Sequence, residues 1–447
     1  MDNLLLILFL TAAASFFSTL ILYLRSSSPS SSRSRRRSFT SQSHSHGHGQ
    51  LPLGTLGWPI VGESLEFISC ALTDRPESFM DKRRCMYGKV FKSHIFGTPT
   101  IVSTDAEVSK FVLQSDAKAF VPFYPKSLTE LMGKSSILLI NGGLQRRIHG
   151  LIGSFFKSAD LKAQITRDME KYIHKSMENW MQDQPIYIQD ESKNAKKKMA
   201  RLIQEIIQSK RDGGMSNINV PKDVIDVLMM NNASDQPLTD DLIADNMIDM
   251  MIPGEDSVPV LMTLAVKYLS DYPAALQQLT DENIKLKELK AQLGEPLAWS
   301  DYLSLPFTQN VITETLRMGN IIIGVMRKAM RDIEIKGYLI PKGWCFFAYF
   351  RSVHLDESNY DWPYQFNPWR WQDNKDISNS SFTPFGGGQR LCPGLDLARL
   401  EASIFLHHLV TQFRWVAEED TVVNFPTVRM KRRMPIWVKK REDYKLT

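Results

Sequence analysis

Phe385-Gly386-Gly387-Gly388-Gln389-Arg390-Leu391-Cys392-Pro393-Gly394 is a glycine-rich loop that delivers one cysteine to the start of a helix. The residues that follow, Leu395 to Val410, are apolar on nearly every face, which marks a buried helix. Pro393 suits a first helical turn. Cys392 therefore stands at a helix N-terminus with Arg390 two residues away, and dipole and cation both favour a thiolate over a thiol. The glycines permit positive φ and a close approach of backbone to a flat ligand. Backbone N–H groups there can donate to the sulfur and tune its basicity. Three other readings stay open at this level. A glycine-rich loop can cradle phosphate, but no Gly-Lys-Ser/Thr follows. The cysteine can be a nucleophile, although the spacing offers no positioned histidine base. It can also be a packed core thiol, the usual fate of a lone cysteine.

Working outward, the chain has 447 residues, 43% hydrophobic and 23% charged, with a net charge of +5. That length allows two domains or one large unit. No basic stripe with interleaved aromatics is present, which argues against nucleic acid as a partner. The four cysteines, Cys70, Cys85, Cys345 and Cys392, form no C-x-x-C pair. They make neither a zinc site nor a disulfide scaffold, so a reducing compartment is expected.

Leu4 to Leu24 carries no charge over 21 residues, long enough to cross a bilayer core of roughly 30 Å. Arg25, Arg33, Arg35, Arg36 and Arg37 follow it. Positive charge on that flank places the remainder in the cytosol. A cleaved signal peptide is the rival, but the apolar run outlasts Ala12-Ala13-Ala14 and no Lys or Arg precedes it. Residues 1–25 therefore read as a retained single-pass anchor, 26–50 as a polar linker and 51–447 as the globular part. His44, His46 and His48 belong to that spacer, with nothing nearby to fix a coordination geometry. Helical periodicity dominates beyond Val61, over 63–70, 75–86, 105–114, 143–156, 159–181, 195–211, 238–270, 273–290, 308–318 and 394–412. Short strand patterns lie at 89–95, 99–103, 333–340 and 345–348. The fold class is mostly α with small accessory β-sheets.

Every fixed position of the cysteine loop resembles the F-x-x-G-x-R-x-C-x-G signature of the cytochrome P-450 family. The resemblance implies that Cys392 binds the iron of haem b and that Arg390 pairs with a haem propionate. Phe385, Gly388 and Gly394 would shape the loop around the cofactor. Glu314 and Arg317, three apart on an apolar helix, resemble the family's E-x-x-R motif, and Phe366-Asn367-Pro368-Trp369-Arg370-Trp371 its F-x-P-x-R-F/W segment. Glu314, Arg317 and Arg370 would then form a structural network behind the loop. Met250-Met251-Ile252-Pro253-Gly254-Glu255-Asp256-Ser257 predicts a kinked helix. It resembles the oxygen-activation motif, in which Gly254, Asp256 and Ser257 would be catalytic, the acid and hydroxyl relaying protons. Pro253 and Ser257 depart from the commoner residues. Gln145 occupies a position normally aromatic, and Arg146 is the expected propionate partner beside it.

The segments 120–126, 246–254 and 318–328 look like those of the plant brassinosteroid C-23 hydroxylases. That resemblance implies insertion of one oxygen atom from O2 into a C–H bond of a sterol's aliphatic tail at the endoplasmic reticulum membrane. Electrons would come from NADPH through the flavin-containing NADPH-cytochrome P-450 reductase. Phe120, Phe123, Ile322, Ile323, Val325 and Phe425 are candidate sterol contacts, each equally suited to plain core. Against the family's usual length, only 110 residues separate Gln145 from Glu255. The sequence reads as about fifty residues short near Gln189–Lys196, where part of the helical lid would lie. That raises two alternatives: an impaired haem- or sterol-binding relative, and a hydroxylase of another position such as C-22.

Overall fold

Asp105 starts a helix because its carboxylate accepts from the backbone N–H groups of Glu107 and Val108. Thr239 does the same for Leu242 at the head of the longest helix. At the other end of the scale, Gly294 and Asn320 stop their helices in the left-handed conformation. Such local signals set the elements of a computed structural model that describes residues 49–441, except 60, 116, 125–128, 130–134, 192–227, 229–237 and 373–379. The expected anchor, nearly all of the linker, the helix at 195–211 and most of the expected junction lie outside the described residues. Among the described residues no helix is long and apolar enough to cross a membrane.

In sequence order the elements begin with α1 Ser64–Ala71, α2 Ser78–Tyr87, β1 Val90–Ile95, β2 Thr98–Ser103, α3 Ala106–Gln114 and β3 Phe120–Pro122. There follow α4 Gly142–Lys157, α5 Ala159–Met177, β4 Ile186–Tyr187, α6 Asp240–Asp271, α7 Pro273–Leu293, α8 Trp299–Leu303 and α9 Pro306–Gly319. The C-terminal part holds β5 Gly324–Ala329, β6 Ile333–Ile335, β7 Tyr338–Ile340, β8 Cys345–Tyr349, α10 Phe350–His354 and α11 Leu395–Gln412. It closes with β9 Phe413–Ala417, β10 Val422–Val423, β11 Arg429–Met430 and β12 Pro435–Lys440.

The largest sheet has the order β1-β2-β8-β5-β3. Only the β2–β8 pairing in it is parallel, with Thr100 opposite Cys345. Smaller sheets pair β6 with β7, β10 with β11, and β4 with β12 and β9. The expected strand at 333–340 is thus a hairpin turning at Lys336-Gly337.

Helical side chains from α5, α6, α7, α9 and α11 form the main core. Every residue of α11 from Leu400 to Gln412 is buried, the polar Glu401, His407 and His408 included. The helix α6, where the sequence predicts a kink, continues for 32 residues through Pro253 and Gly254.

Candidate active site

The cysteine loop folds on itself through backbone bonds. Gly386 N–H donates to Thr383 O at 3.0 Å, Leu391 N–H to Gly388 O at 3.2 Å and Cys392 N–H to Phe385 O at 3.1 Å. Gly386 (φ 74°) and Gly388 (φ 65°) both take the left-handed conformation. A Cβ at Gly388 would lie 2.2 Å from the Leu113 carbonyl oxygen, so this glycine seats the loop on α3. Gly394 caps α11 directly after Cys392 and Pro393, and Phe385 packs against the helical core.

Cys392 keeps an exposed face, yet protein surrounds its sulfur closely enough that desolvation pushes the thiol upward. The Gly394 backbone N–H offsets part of this. Arg390, expected to favour the thiolate, is aimed elsewhere. Its Nη1 donates to Ile137 O at 2.8 Å, and its Nη2 to Ile140 O at 2.7 Å and Asn141 Oδ1 at 2.8 Å. Burial therefore works against ionisation of this thiol, and a bound metal ion is what would favour the thiolate.

Two side chains of α4 meet this loop. Gln145 Nε2 donates to Gln389 O at 3.3 Å, and His149 Nε2 lies 2.7 Å from Leu391 O. They stand one turn apart, on one helix face. Arg146, the expected propionate partner, is exposed on α4, one residue round the helix from that face. His149 is a contact that sequence reasoning missed, although the i, i+4 spacing from Gln145 was there to find it.

Glu314 and Arg317 have no accessible surface. The Glu314 carboxylate accepts from Arg317 Nε at 2.9 Å and Nη2 at 2.7 Å, Arg370 Nε at 3.0 Å, Trp371 Nε1 at 2.9 Å and Asn367 N–H at 3.0 Å. Arg317 Nη1 also donates to His354 O at 2.8 Å and Pro363 O at 2.7 Å. The three expected charges thus form one buried network. His354 continues it toward the cysteine: its Nε2 accepts from Thr383 N–H at 3.0 Å, and its Nδ1 lies 2.7 Å from Asn320 Oδ1.

On α6, Gly254 and Ser257 are half-buried and Asp256 is exposed. Of the expected sterol contacts, Phe120 is core: it has no accessible surface and its ring lies 5.9 Å from that of Phe346. A side chain without accessible surface cannot touch a ligand. Phe123, Ile323, Val325 and Phe425 are half-buried, and Ile322 is exposed.

The residues present fit a haem. Among the described residues no three metal-ligating side chains converge. A metal at Cys392 must therefore arrive with most of its own ligands, as a porphyrin iron does. Among the described residues the buried Oε1 atoms of Gln145 and Gln389 have no partner, as expected for groups completed by something outside the polypeptide.

A lone cysteine at the head of a buried helix, backed by a Glu-Arg-Arg network in a helix-rich fold, defines a haem-thiolate protein. Residues 52–186 and 165–439 match the family Cytochrome P450, and the chain belongs to that family as a monooxygenase. It is 60% identical over 444 residues to the 3-epi-6-deoxocathasterone 23-monooxygenase CYP90D1 of Arabidopsis thaliana, covering 88% of this chain and 90% of that one. It is 48% identical to the 3-epi-6-deoxocathasterone 23-monooxygenase CYP90C1 of the same plant, with 88% and 85% covered. The retinoic acid-bound cyanobacterial CYP120A1 shares the fold, with a TM-score of 0.75, 20% identity and coverage of 88% of this chain and 100% of that structure.

Proposed function

We propose that this protein hydroxylates C-23 of a sterol side chain in brassinosteroid biosynthesis, with Cys392 as the axial ligand of haem b. The observation that carries the reading is 60% identity to a 3-epi-6-deoxocathasterone 23-monooxygenase along a sequence that presents Cys392, with an exposed face, at a helix head. One oxygen atom of O2 enters the C–H bond and the other leaves as water, with two electrons from NADPH and protons drawn from solvent. Haem supplies the oxygen chemistry when bound. NADPH-cytochrome P-450 reductase passes on the electrons. Asp256 and Ser257 hold the protons that reach the oxygen, and Gly254 keeps the helix surface open beside them. Phe123, Ile323, Val325 and Phe425 retain the surface needed to touch the sterol. Leu4–Leu24 anchors the protein in the endoplasmic reticulum membrane with the catalytic part in the cytosol, as the arginines after it favour.

The test is spectroscopic. The purified protein gives the thiolate-type carbon monoxide band on reduction, and Cys392→Ala loses both the band and turnover. Persistence of the band in the variant defeats the assignment.

A second reading, a catalytically impaired relative, has its own support. Eighty-eight per cent of 447 residues is about 393, so roughly fifty of the 444 aligned positions lack a residue here. The family match also restarts, in overlap, at residue 165. Both facts support a shortened middle, where a wetter pocket would divert activated oxygen from the sterol. Sterol binding spectra without hydroxylated product are expected on this reading, and turnover at the rate of the Arabidopsis relative refutes it. Product analysis also separates C-23 from C-22 attack.

A further inference from the structure

One turn, Ser135–Asn141, stands between the polar stretch of α6 and the cysteine loop, and both sides bond it. On the α6 side, Asp245 Oδ2 accepts from Ser135 N–H at 2.9 Å and Asp249 Oδ2 from Ile137 N–H at 2.9 Å. Asn246 Nδ2 donates to Ser135 O at 3.0 Å. On the loop side, Arg390 takes the carbonyls of Ile137 and Ile140 and the side chain of Asn141. Within the turn, Leu139 N–H and Ile140 N–H both donate to Ser136 O at 2.9 Å, which makes it stiff. Carboxylates thus bind its N–H groups and a guanidinium its C=O groups. The bonded N–H and C=O groups sit on neighbouring peptides, so the two sides are coupled through the conformation of the turn. Ile137 and Ile140 also pack against the apolar cluster that includes Ile148 and Ile152 of α4 and Leu242 of α6.

We propose that Asp245 and Asp249 are positioning residues: through this turn they fix Arg390, and with it the loop that presents Cys392. Asp249 is the stronger, since it is buried and Asp245 only half so. Removing its carboxylate leaves Ile137 N–H unsatisfied inside the protein and lets the carbonyls that grip Arg390 turn away. The proposal rests on the reading of Cys392 as the haem ligand, and its test separates the two.

The experiment uses the full-length, haem-loaded protein and follows two signals: the rate of haem loss to excess apomyoglobin, and the share of the thiolate-type band in the reduced carbon monoxide spectrum. Asp249→Ala is expected to lose haem about tenfold faster, the effect of one buried hydrogen bond, and to convert part of the band to the displaced form. Asp249→Asn, whose amide oxygen still accepts from Ile137 N–H, restores most of both signals. Asp245→Ala shows a smaller change in the same direction and serves if Asp249→Ala does not fold. Combined with Arg390→Lys, either alanine variant adds less than its effect alone, because both act through one turn. Thr263→Ala removes a buried hydroxyl that bonds within α6 to Pro259 O, and controls for general loosening of the helix. Haem loss in both aspartate variants no faster than in Thr263→Ala, or strict additivity with Arg390→Lys, overturns the proposal alone. A wild-type protein that takes up no haem overturns the Cys392 reading together with it.

Discussion

Glu314→Ala lowers stability by about 3–5 kcal/mol, because it strands a buried arginine charge. Arg317 has no accessible surface, and Glu314 is its only anionic partner among the described residues. The variant also leaves Trp371 Nε1 and the Asn367 N–H without their acceptor. Domains are stable by roughly 5–15 kcal/mol in all, so this change takes a large part of the total. Urea unfolding followed by tryptophan fluorescence should show a much lower midpoint at unchanged slope. The contrast is the Lys82–Glu66 pair, whose side chains are 63% and 41% exposed. Lys82→Ala should move the midpoint by at most about 1 kcal/mol. Equal shifts in the two variants would show that burial does not govern these ion pairs.

Acid unfolds the protein well above the pH at which carboxylates titrate. Burial holds His354 and His407 neutral, with folded values of about 3 against an ordinary 6.5. The charges of Arg317 and Arg351 add to the effect at His354, and that of Lys287 at His407. His408 is lowered in the same direction by burial and by its neighbours His407, His174 and Lys287. The unfolded state therefore binds protons below pH 6.5 that the folded state refuses. The stability these groups confer is complete above 6.5 and drains away as pH falls toward 3. At 1.36 kcal/mol per pH unit, each costs about 2 kcal/mol by pH 5, so the first two alone cost about 4 kcal/mol. Geometry agrees at His354, whose Nε2 must stay unprotonated to accept the Thr383 N–H. His407→Gln should flatten the decline in unfolding free energy between pH 6.5 and 5. An equally steep decline in that variant would count against this account.

Features set by covalent spacing were legible in the sequence. The loop from Phe385 to Gly394 and the pair Glu314–Arg317 each lie within a few residues, so geometry follows from number. Helix ends were readable to within a few residues, since Asp105, Gly294 and Asn320 act locally. Helix phase was harder. Arg146 and His149 are both polar, and only the burial of Gln145, Ile148 and Ile152 shows which side of α4 turns inward. The protein partners of Arg390 were illegible for another reason: most are backbone carbonyls, those of Ile137 and Ile140, and a carbonyl has no signature in a sequence. Asp245, Asn246 and Asp249 form a visible polar row, but the turn they hold lies more than a hundred residues earlier. Phe120 shows the same limit, since an aromatic residue reads alike in a core and in a pocket.

The parallel pairing of β2 with β8 has a consequence for biogenesis. Thr100 waits for Cys345, 245 residues later in the sequence. At roughly 5–20 residues per second, a ribosome needs about 10 to 50 seconds to deliver that partner. During this interval the β1–β2 hairpin offers a bare edge to whatever strand arrives, the hazard that chaperones exist to cover. Ribosome-stalled nascent polypeptides ending before β8 should be cut by protease at 90–103, and protection there without β8 would show that another partner fills the gap.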